Sequence, residues 1–363
     1  MDVIQKILQT RDGSGWYARA PILVWGGGAI GGCVAAFLAR AGVPVTLVDV
    51  VTEHVEAVRT TGLGIEGKAA HFTQVIAAAT PAGLMGTYDC VLLAVKAQHT
   101  DQAALQLLPH LSDEGVVVSL QNGLNEGVIA ARVGAHRTVS GFVNFAADYL
   151  APGRIDYGNR GAVKLGELSA GLTPRVESLA ALLRAFDADT TAVADVARYK
   201  WGKLAYGSLL FATALANETM AETLDDPAHR PLLVALAREV IGIARKTGVE
   251  PFGFDGFEPS AFDLHADPAL AASSLGHMAD HYRHSTKQRS GVWRDLAVRR
   301  RKTEVDTQIA EIVRIATGQG LGARITEELI AMIHEVEDGR RAIDRNNLVE
   351  LSRRSLQAHR EPA

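Results

Sequence analysis

The stretch Ile22-Leu23-Val24-Trp25-Gly26-Gly27-Gly28-Ala29-Ile30-Gly31-Gly32 decides the reading of this chain. Gly26, Gly28 and Gly31 fit the spacing G-x-G-x-x-G. A chain with 35 glycines produces such matches by chance, so the context carries the weight. An apolar, strand-like run (Ile22–Trp25) leads in, and Ile30, Val34, Phe37 and Leu38 recur at helical spacing in Ala29–Ala41. Gly42 stands where a helix would stop. A second apolar run from Val45 closes on Asp49, 21 positions after Gly28. Strand, glycine turn, helix, strand and acid together form the unit that binds a dinucleotide. In that unit Gly26 permits the tight turn, Gly28 lets the backbone approach a pyrophosphate, and Gly31 lets helix and strand pack closely. Gly28, Ala29 and Ile30 open a helix whose free amides and dipole suit phosphate.

Asp49 refines the ligand. A carboxylate at the end of the second strand accepts hydrogen bonds from ribose hydroxyls and repels a 2′-phosphate, so NAD(H) is expected over NADP(H). The competing reading is an aspartate that caps the helix beginning near Thr52 and Glu53.

Composition narrows the class. The 363 residues are 47% hydrophobic and 21% charged, with a net charge of −4. That is ordinary for a soluble globular chain of two or three domains and does not suggest a nucleic-acid partner. The two cysteines, Cys33 and Cys90, lie in apolar segments, too few for a disulfide scaffold, so a reducing, cytoplasmic setting is expected. Residues 1–20 lack the apolar core of a signal peptide and read as an N-terminal extension, and no apolar run reaches the length of a membrane span.

Alternation and apolar runs predict strands at Asp89–Val95, Val116–Leu120, Val139–Val143 and Thr191–Val193. They also predict a hairpin in Leu63–Ala78 and a two-stranded ribbon from Gly153–Tyr157 and Ala162–Leu165. Helices are expected at Glu53–Arg59, Thr100–Leu108 and Pro174–Phe186. Beyond Asp195 the pattern turns helical, with Tyr199–Glu218, Pro231–Thr247, Trp293–Ala316 and Thr326–Glu337 around a Pro/Gly/Phe-rich loop, Gly248–Pro268. The expected class is α/β: a Rossmann-type dinucleotide-binding domain over 21–192, then an all-helical substrate domain over 193–363. Gly26–Gly28, Asp49, Lys96 and Asn122 all fall at C-terminal strand ends, where open parallel sheets hold ligands.

The chain resembles the ketopantoate reductases (2-dehydropantoate 2-reductases) from residue 21 onward. The resemblance rests on Gly-Gly-Gly-Ala-Ile-Gly (26–31), Leu-Ala-Val-Lys-Ala (93–97), Leu-Gln-Asn-Gly (120–123), Tyr-Lys-Trp-Gly-Lys-Leu (199–204) and Arg-Asp-Leu…Arg-Lys-Thr-Glu-Val-Asp (294–306), in that order. It implies nicotinamide-dependent reduction of a 2-keto acid to a 2-hydroxy acid. By position it implies Lys203 as general acid, Glu304 as a carboxylate that helps bind substrate, Asn122 near the nicotinamide, Ser290 at the substrate and Lys96 beside the cofactor. Two positions depart from the family. Where it carries asparagines one helical turn apart, this chain has Gly207 and Phe211, which makes the expected site less polar and puts a phenyl ring at the substrate.

The residue chemistry agrees with those roles. Hydride delivery to a ketone leaves negative charge on oxygen, and an ammonium both stabilises that charge and supplies a proton. Taken without the motifs, Lys203 reads equally as a solvated helix lysine, Glu304 as a surface charge beside the basic run Arg299–Lys302, and Asn122 as a turn residue. His277, His281 and His284 share one helix face. They read as a polar surface near the cleft mouth, and no metal is expected. The leading expectation is an NADH-dependent 2-keto acid reductase acting on a small molecule, monomeric or a homodimer. A dehydrogenase of a bulkier, less polar alcohol is the first alternative, and an NAD(H)-sensing protein without turnover the second.

Overall fold

The computed structural model describes residues 21–285 and 287–357, so the extension expected over 1–20 lies outside the described residues. The chain divides into two compact units after Val196.

The first unit is built on a ten-stranded mixed sheet. In chain order its strands are β1 (Ile22–Trp25), β2 (Val45–Val48), β3 (Leu63–Glu66), β4 (Phe72–Gln74), β5 (Ala77–Ala79), β6 (Tyr88–Leu93), β7 (Leu111–Ser119), β8 (Thr138–Ala151), β9 (Arg154–Glu167) and β10 (Thr191–Ala192). They lie in the order β4-β3-β9-β8-β7-β6-β1-β2-β5, with β10 beside β9. From β8 to β5 every pairing is parallel, while β8–β9 and β3–β4 are antiparallel. Helices α1 (Ala29–Arg40), α2 (Thr52–Thr60), α3 (Thr100–Leu107), α4 (Glu126–Val133) and α5 (Pro174–Leu183) complete the unit. Alternation along β1 explains why a parallel strand reads as continuously apolar. Ile22 and Val24 enter one hydrophobic cluster, and Leu23 and Trp25 enter another. Phe37 of α1 meets Phe72, Tyr157 and Phe186 edge-on at centroid distances of 5.0–5.7 Å, anchoring the helix on the sheet.

One strand expectation needs correction. Gly153–Tyr157 and Ala162–Leu165 are not partners in a ribbon. Arg154–Tyr157 and Ala162–Leu165 both belong to β9, Gly153 lies in the turn before it, and the antiparallel partner of β9 is β8, from Val139 opposite Glu167 to Ala151 opposite Arg154. Register shifts at Asn144/Ala146 and Ala146/Ala147 break the alternation that would have shown one long strand.

The second unit is helical: α6 (Ala197–Thr213), α7 (Met220–Asp225), α8 (Arg230–Lys246), α9 (Pro268–Arg283), α10 (Gly291–Arg294), α11 (Val305–Gly318), α12 (Arg324–Glu337) and α13 (Asn346–Gln357). Helix α6 stops short of Glu218 because Ala214 and Leu215 bond back three residues, and a capping box of Thr219 and Glu222 starts α7. The helix expected over Trp293–Ala316 is interrupted. A π turn follows α10 over Asp295–Arg299, and Arg300 is left-handed at φ 48°. The Asp295 carboxylate accepts from both Arg299 (3.0 Å) and Arg301 (2.9 Å), which holds the turn. Apolar spacing assigns no bounds to α7, α9 or α13. Among the described residues, no helix is long and apolar enough to cross a membrane.

Candidate active site

In the first unit, the glycine loop between β1 and α1 has a physical reason at each position of its pattern. Gly26 sits at φ 106°, and a Cβ there would lie 2.7 Å from the Val95 amide nitrogen. A Cβ on Gly31 would lie 2.0 Å from the Gly26 carbonyl oxygen, the close helix–strand contact expected of it. Gly28 differs from both. Its φ of −66° suits any residue, and an added Cβ meets nothing within 4 Å. Nothing inside the protein demands a glycine there, whereas a ligand resting on the loop would. The first helical bond runs from the Gly32 N–H to the Gly28 carbonyl (2.8 Å), so the amides of Ala29, Ile30 and Gly31 precede the ladder. The loop therefore fits the pyrophosphate of a dinucleotide.

Asp49 follows β2 and reaches this loop. Its Oδ2 accepts the Gly27 N–H at 2.8 Å and its Oδ1 the Val51 N–H at 2.9 Å. It does not cap α2 through that helix's first turn, since Val51 occupies the cap position without a side-chain bond. A second contact on Gly27 is absent from the sequence reading: His54 Nε2 lies 2.9 Å from the Gly27 carbonyl oxygen. At the ends of β6 and β7, Gln121 donates to the Val95 carbonyl and to Thr100 Oγ1, both at 2.8 Å, tying the two strand ends together. Lys96 is exposed and begins the turn Ala97–His99, and Asn122 is half-buried, its carbonyl accepting from Asn125 Nδ2 at 2.6 Å. The unusual backbone angle of this turn falls on Gly123 (φ 80°) rather than on Asn122.

In the second unit, Lys203 lies on α6, half-buried. Burial of its ammonium, with the like charges of Lys200 and Lys287, draws it down from 10.5 to about 8, while Glu304 and Asp255 pull it upward. Lys203 and Glu304, far apart in sequence, are thus electrostatic neighbours. Glu304 is placed by the residue before it. The Thr303 N–H and hydroxyl both donate to Glu337 Oε1 at 2.7 Å, and Thr303 Oγ1 accepts the Val305 N–H at 3.2 Å, fixing the start of α11. Asp255 is placed by a two-residue turn. It and Gly256 have φ of 51° and 85°, and Phe254 and Phe257 exchange backbone bonds of 3.1 and 2.9 Å across them. Gly202 lets this segment lie on α6, since a Cβ there would stand 1.9 Å from the Phe252 carbonyl oxygen. The hydroxyls of Tyr206 and Tyr282 bond to each other, and burial pushes both upward, with Asp255 adding to the effect.

The remaining expected residues are placed as follows. Ser290 is 4% exposed and caps α10, accepting the Trp293 N–H at 3.1 Å. Phe211 is also 4% exposed, so protein covers most of the ring expected at the substrate. Gly207 is half-buried beside open space, since a Cβ there meets nothing within 4 Å. His277, His281 and His284 are exposed on α9 and at its end. No metal-ligating cluster of three occurs among the described residues. Lys200 had a signal in the sequence, one helical turn before Lys203, whereas Asp255, Lys287 and His54 reach their places through tertiary structure alone.

A glycine loop opening a helix in one unit and a lysine with a carboxylate neighbour in the other are features expected of a nicotinamide-dependent oxidoreductase acting on CH–OH groups. Residues 22–170 match the family described as ketopantoate reductase PanE/ApbA, and residues 195–337 match its C-terminal part, ketopantoate reductase PanE/ApbA C terminal. The chain belongs to the ketopantoate reductase family. A relative from Mesorhizobium japonicum named 2-dehydropantoate 2-reductase is 31% identical over 258 residues, covering 64% of this chain and 79% of the relative. Two solved structures share the fold. One is a PanE/ApbA family ketopantoate reductase from Ralstonia eutropha (TM-score 0.73, 24% identity, covering 88% of this chain and 99% of that one). The other is D-mandelate dehydrogenase with NADH and anilino(oxo)acetate (TM-score 0.75, 18% identity, covering 88% and 98%).

Proposed function

We propose that the chain reduces a 2-keto acid to the 2-hydroxy acid with NADH, with ketopantoate as the first substrate to test. The observation that carries this reading is Lys203: a half-buried ammonium drawn to about 8, with Glu304 as its electrostatic neighbour. Its proton is available near neutral pH, as a general acid requires. A nicotinamide, when bound, supplies the hydride to the carbonyl carbon. Lys203 donates the proton to the carbonyl oxygen and recovers one from solvent, while Glu304 holds substrate or orients the ammonium. Gly26, Gly28, Ala29, Ile30 and Gly31 hold the pyrophosphate, with Lys96 and Asn122 at the nicotinamide end. Ser290 caps α10 and can still donate its hydroxyl proton to substrate. Preference for NADH rests on Asp49, whose carboxylate stands at the glycine loop and opposes a 2′-phosphate. The proposed cytoplasmic setting rests on the two cysteines, which are buried and free rather than part of a disulfide scaffold.

One observation favours a bulkier or less polar ketone on the same machinery: the open space beside Gly207, where the family has an amide. The test is oxidation of NADH and of NADPH with ketopantoate, other 2-keto acids and larger ketones, for the wild-type chain and Asp49→Ala. Turnover of 2-keto acids with NADH preferred, and that preference narrowed by Asp49→Ala, is the expected result. Turnover confined to larger ketones would give the active site to the second reading. Cofactor binding without any turnover would refute both.

A further inference from the structure

His54 takes no part in the chemistry above, yet it grips the glycine loop. The imidazole is fully buried in α2. Its Nδ1 lies 2.9 Å from the Gly153 N–H, which can only donate, so Nδ1 is unprotonated. The proton is therefore on Nε2, which donates to the Gly27 carbonyl at 2.9 Å. The N–H of the same Gly27 goes to Asp49. The middle residue of the loop is thus held at both its amide and its carbonyl. A Cβ on Gly27 would stand 3.0 Å from His54 Nε2 and 2.7 Å from Leu47 Cδ2, so the fit is close.

We propose that His54 is the positioning residue of the dinucleotide loop: in its neutral Nε2–H form it turns the Gly27 carbonyl inward and leaves the amides of Ala29 and Ile30 to the pyrophosphate, so that cofactor affinity falls on acidification. This rests on the cofactor reading given above. The groups around His54 support the neutral form. From the end of β2, Asp49 favours the charged ring, but burial outweighs it and the histidine lies below its ordinary 6.5. From β8, Tyr149 packs edge-on at 5.2 Å, its hydroxyl pushed up by burial, Asp49 and Glu53 and so uncharged. The β8–β9 turn brings the Gly153 amide, and β5 brings Ala77–Ala79 with no titratable group. Glu66 of β3 is paired with Arg154 at 2.7 Å, and on the histidine's own helix Glu56 is paired with Arg59 at 2.7 Å. A protonated Nδ1 would face the Gly153 N–H donor to donor; the ring keeps its Nε2–H, but with the Gly153 bond lost and a charge buried it is driven from its seat, and the Gly27 carbonyl loses its fixed partner.

The test measures the NADH dissociation constant by fluorescence from about pH 8 to about pH 5 for wild type, His54→Gln and His54→Ala. The wild-type constant should be flat above 6.5 and rise about tenfold below it. His54→Gln retains a donor toward Gly27 but cannot titrate. It should bind within about threefold of wild type near neutrality and lack the acid rise. His54→Ala, if folded by circular dichroism, should bind about tenfold more weakly throughout. An acid rise unchanged in His54→Gln, wild-type affinity in His54→Ala, or a protonated Nδ1 in the neutral-pH 15N spectrum would overturn the proposal. A wild-type chain that binds neither NADH nor NADPH near neutrality would sink the cofactor reading itself, and this proposal with it.

Discussion

In the proposed mechanism Lys203 concentrates the chemistry in one nitrogen, and neighbouring charges shift that nitrogen's pKa. The ammonium must be present for reduction, so the rate of keto-acid reduction should fall as pH rises through about 8, and oxidation of the hydroxy acid should rise over the same range. The neighbours give the signs of three variants. Asp255→Asn and Glu304→Gln each remove a charge that raises Lys203, so both should move the alkaline limb of the reduction profile to lower pH. Lys287→Met removes a charge that lowers it and should move the limb up. A limb fixed in all three would place its origin outside this cluster. Lys203 was legible in the sequence because a compact motif surrounds it. Asp255 was not, because only the fold brings a loop residue back against α6.

The loop and helix elements make a prediction by contrast among glycines of one motif. Gly31→Ala drives a Cβ to 2.0 Å from the Gly26 carbonyl and should cost about 2–3 kcal/mol of stability, read as a lower Tm. Gly28→Ala meets nothing within 4 Å at an ordinary φ. It should change stability by less than about 0.5 kcal/mol yet weaken NADH binding, because its methyl would occupy the ligand's place. Equal loss of stability in the two would remove Gly28 from the cofactor surface. Gly202→Ala should resemble Gly31→Ala, and it should also lower turnover by displacing the segment that carries Asp255. Much of this scale was readable in advance. β1, α1 and β2 follow from apolar runs bracketed by Gly26 and Gly42. What was missed was long-range or locally irregular: β9 is one strand because it pairs with β8, and the Trp293–Ala316 helix breaks because Asp295 gathers Arg299 and Arg301.

The molecule comprises a unit built on a mixed sheet and a helical unit, and each contains a buried histidine. His54 and His229 are 0% and 4% exposed, and burial lowers both from 6.5. Well above 6.5 both are neutral, folded or unfolded, so they make no pH-dependent contribution there. As pH falls below 6.5 the unfolded chain takes up protons that the folded chain resists, and stability should decline until the folded values are reached. Thermal melts should therefore show Tm falling by a few degrees below that pH, and His54→Gln should reduce the slope. Family and fold were legible at this scale because five ordered motifs span both units. The substrate was not, because Gly207 and Phe211 remove the amides that would have named it.

The most direct test of the central claim is steady-state reduction of the best 2-keto acid by Lys203→Ala, measured beside its NADH affinity. A loss of about 10²–10⁴-fold in kcat with NADH binding nearly unchanged is the result predicted for a proton donor. Wild-type turnover in that variant would contradict the account.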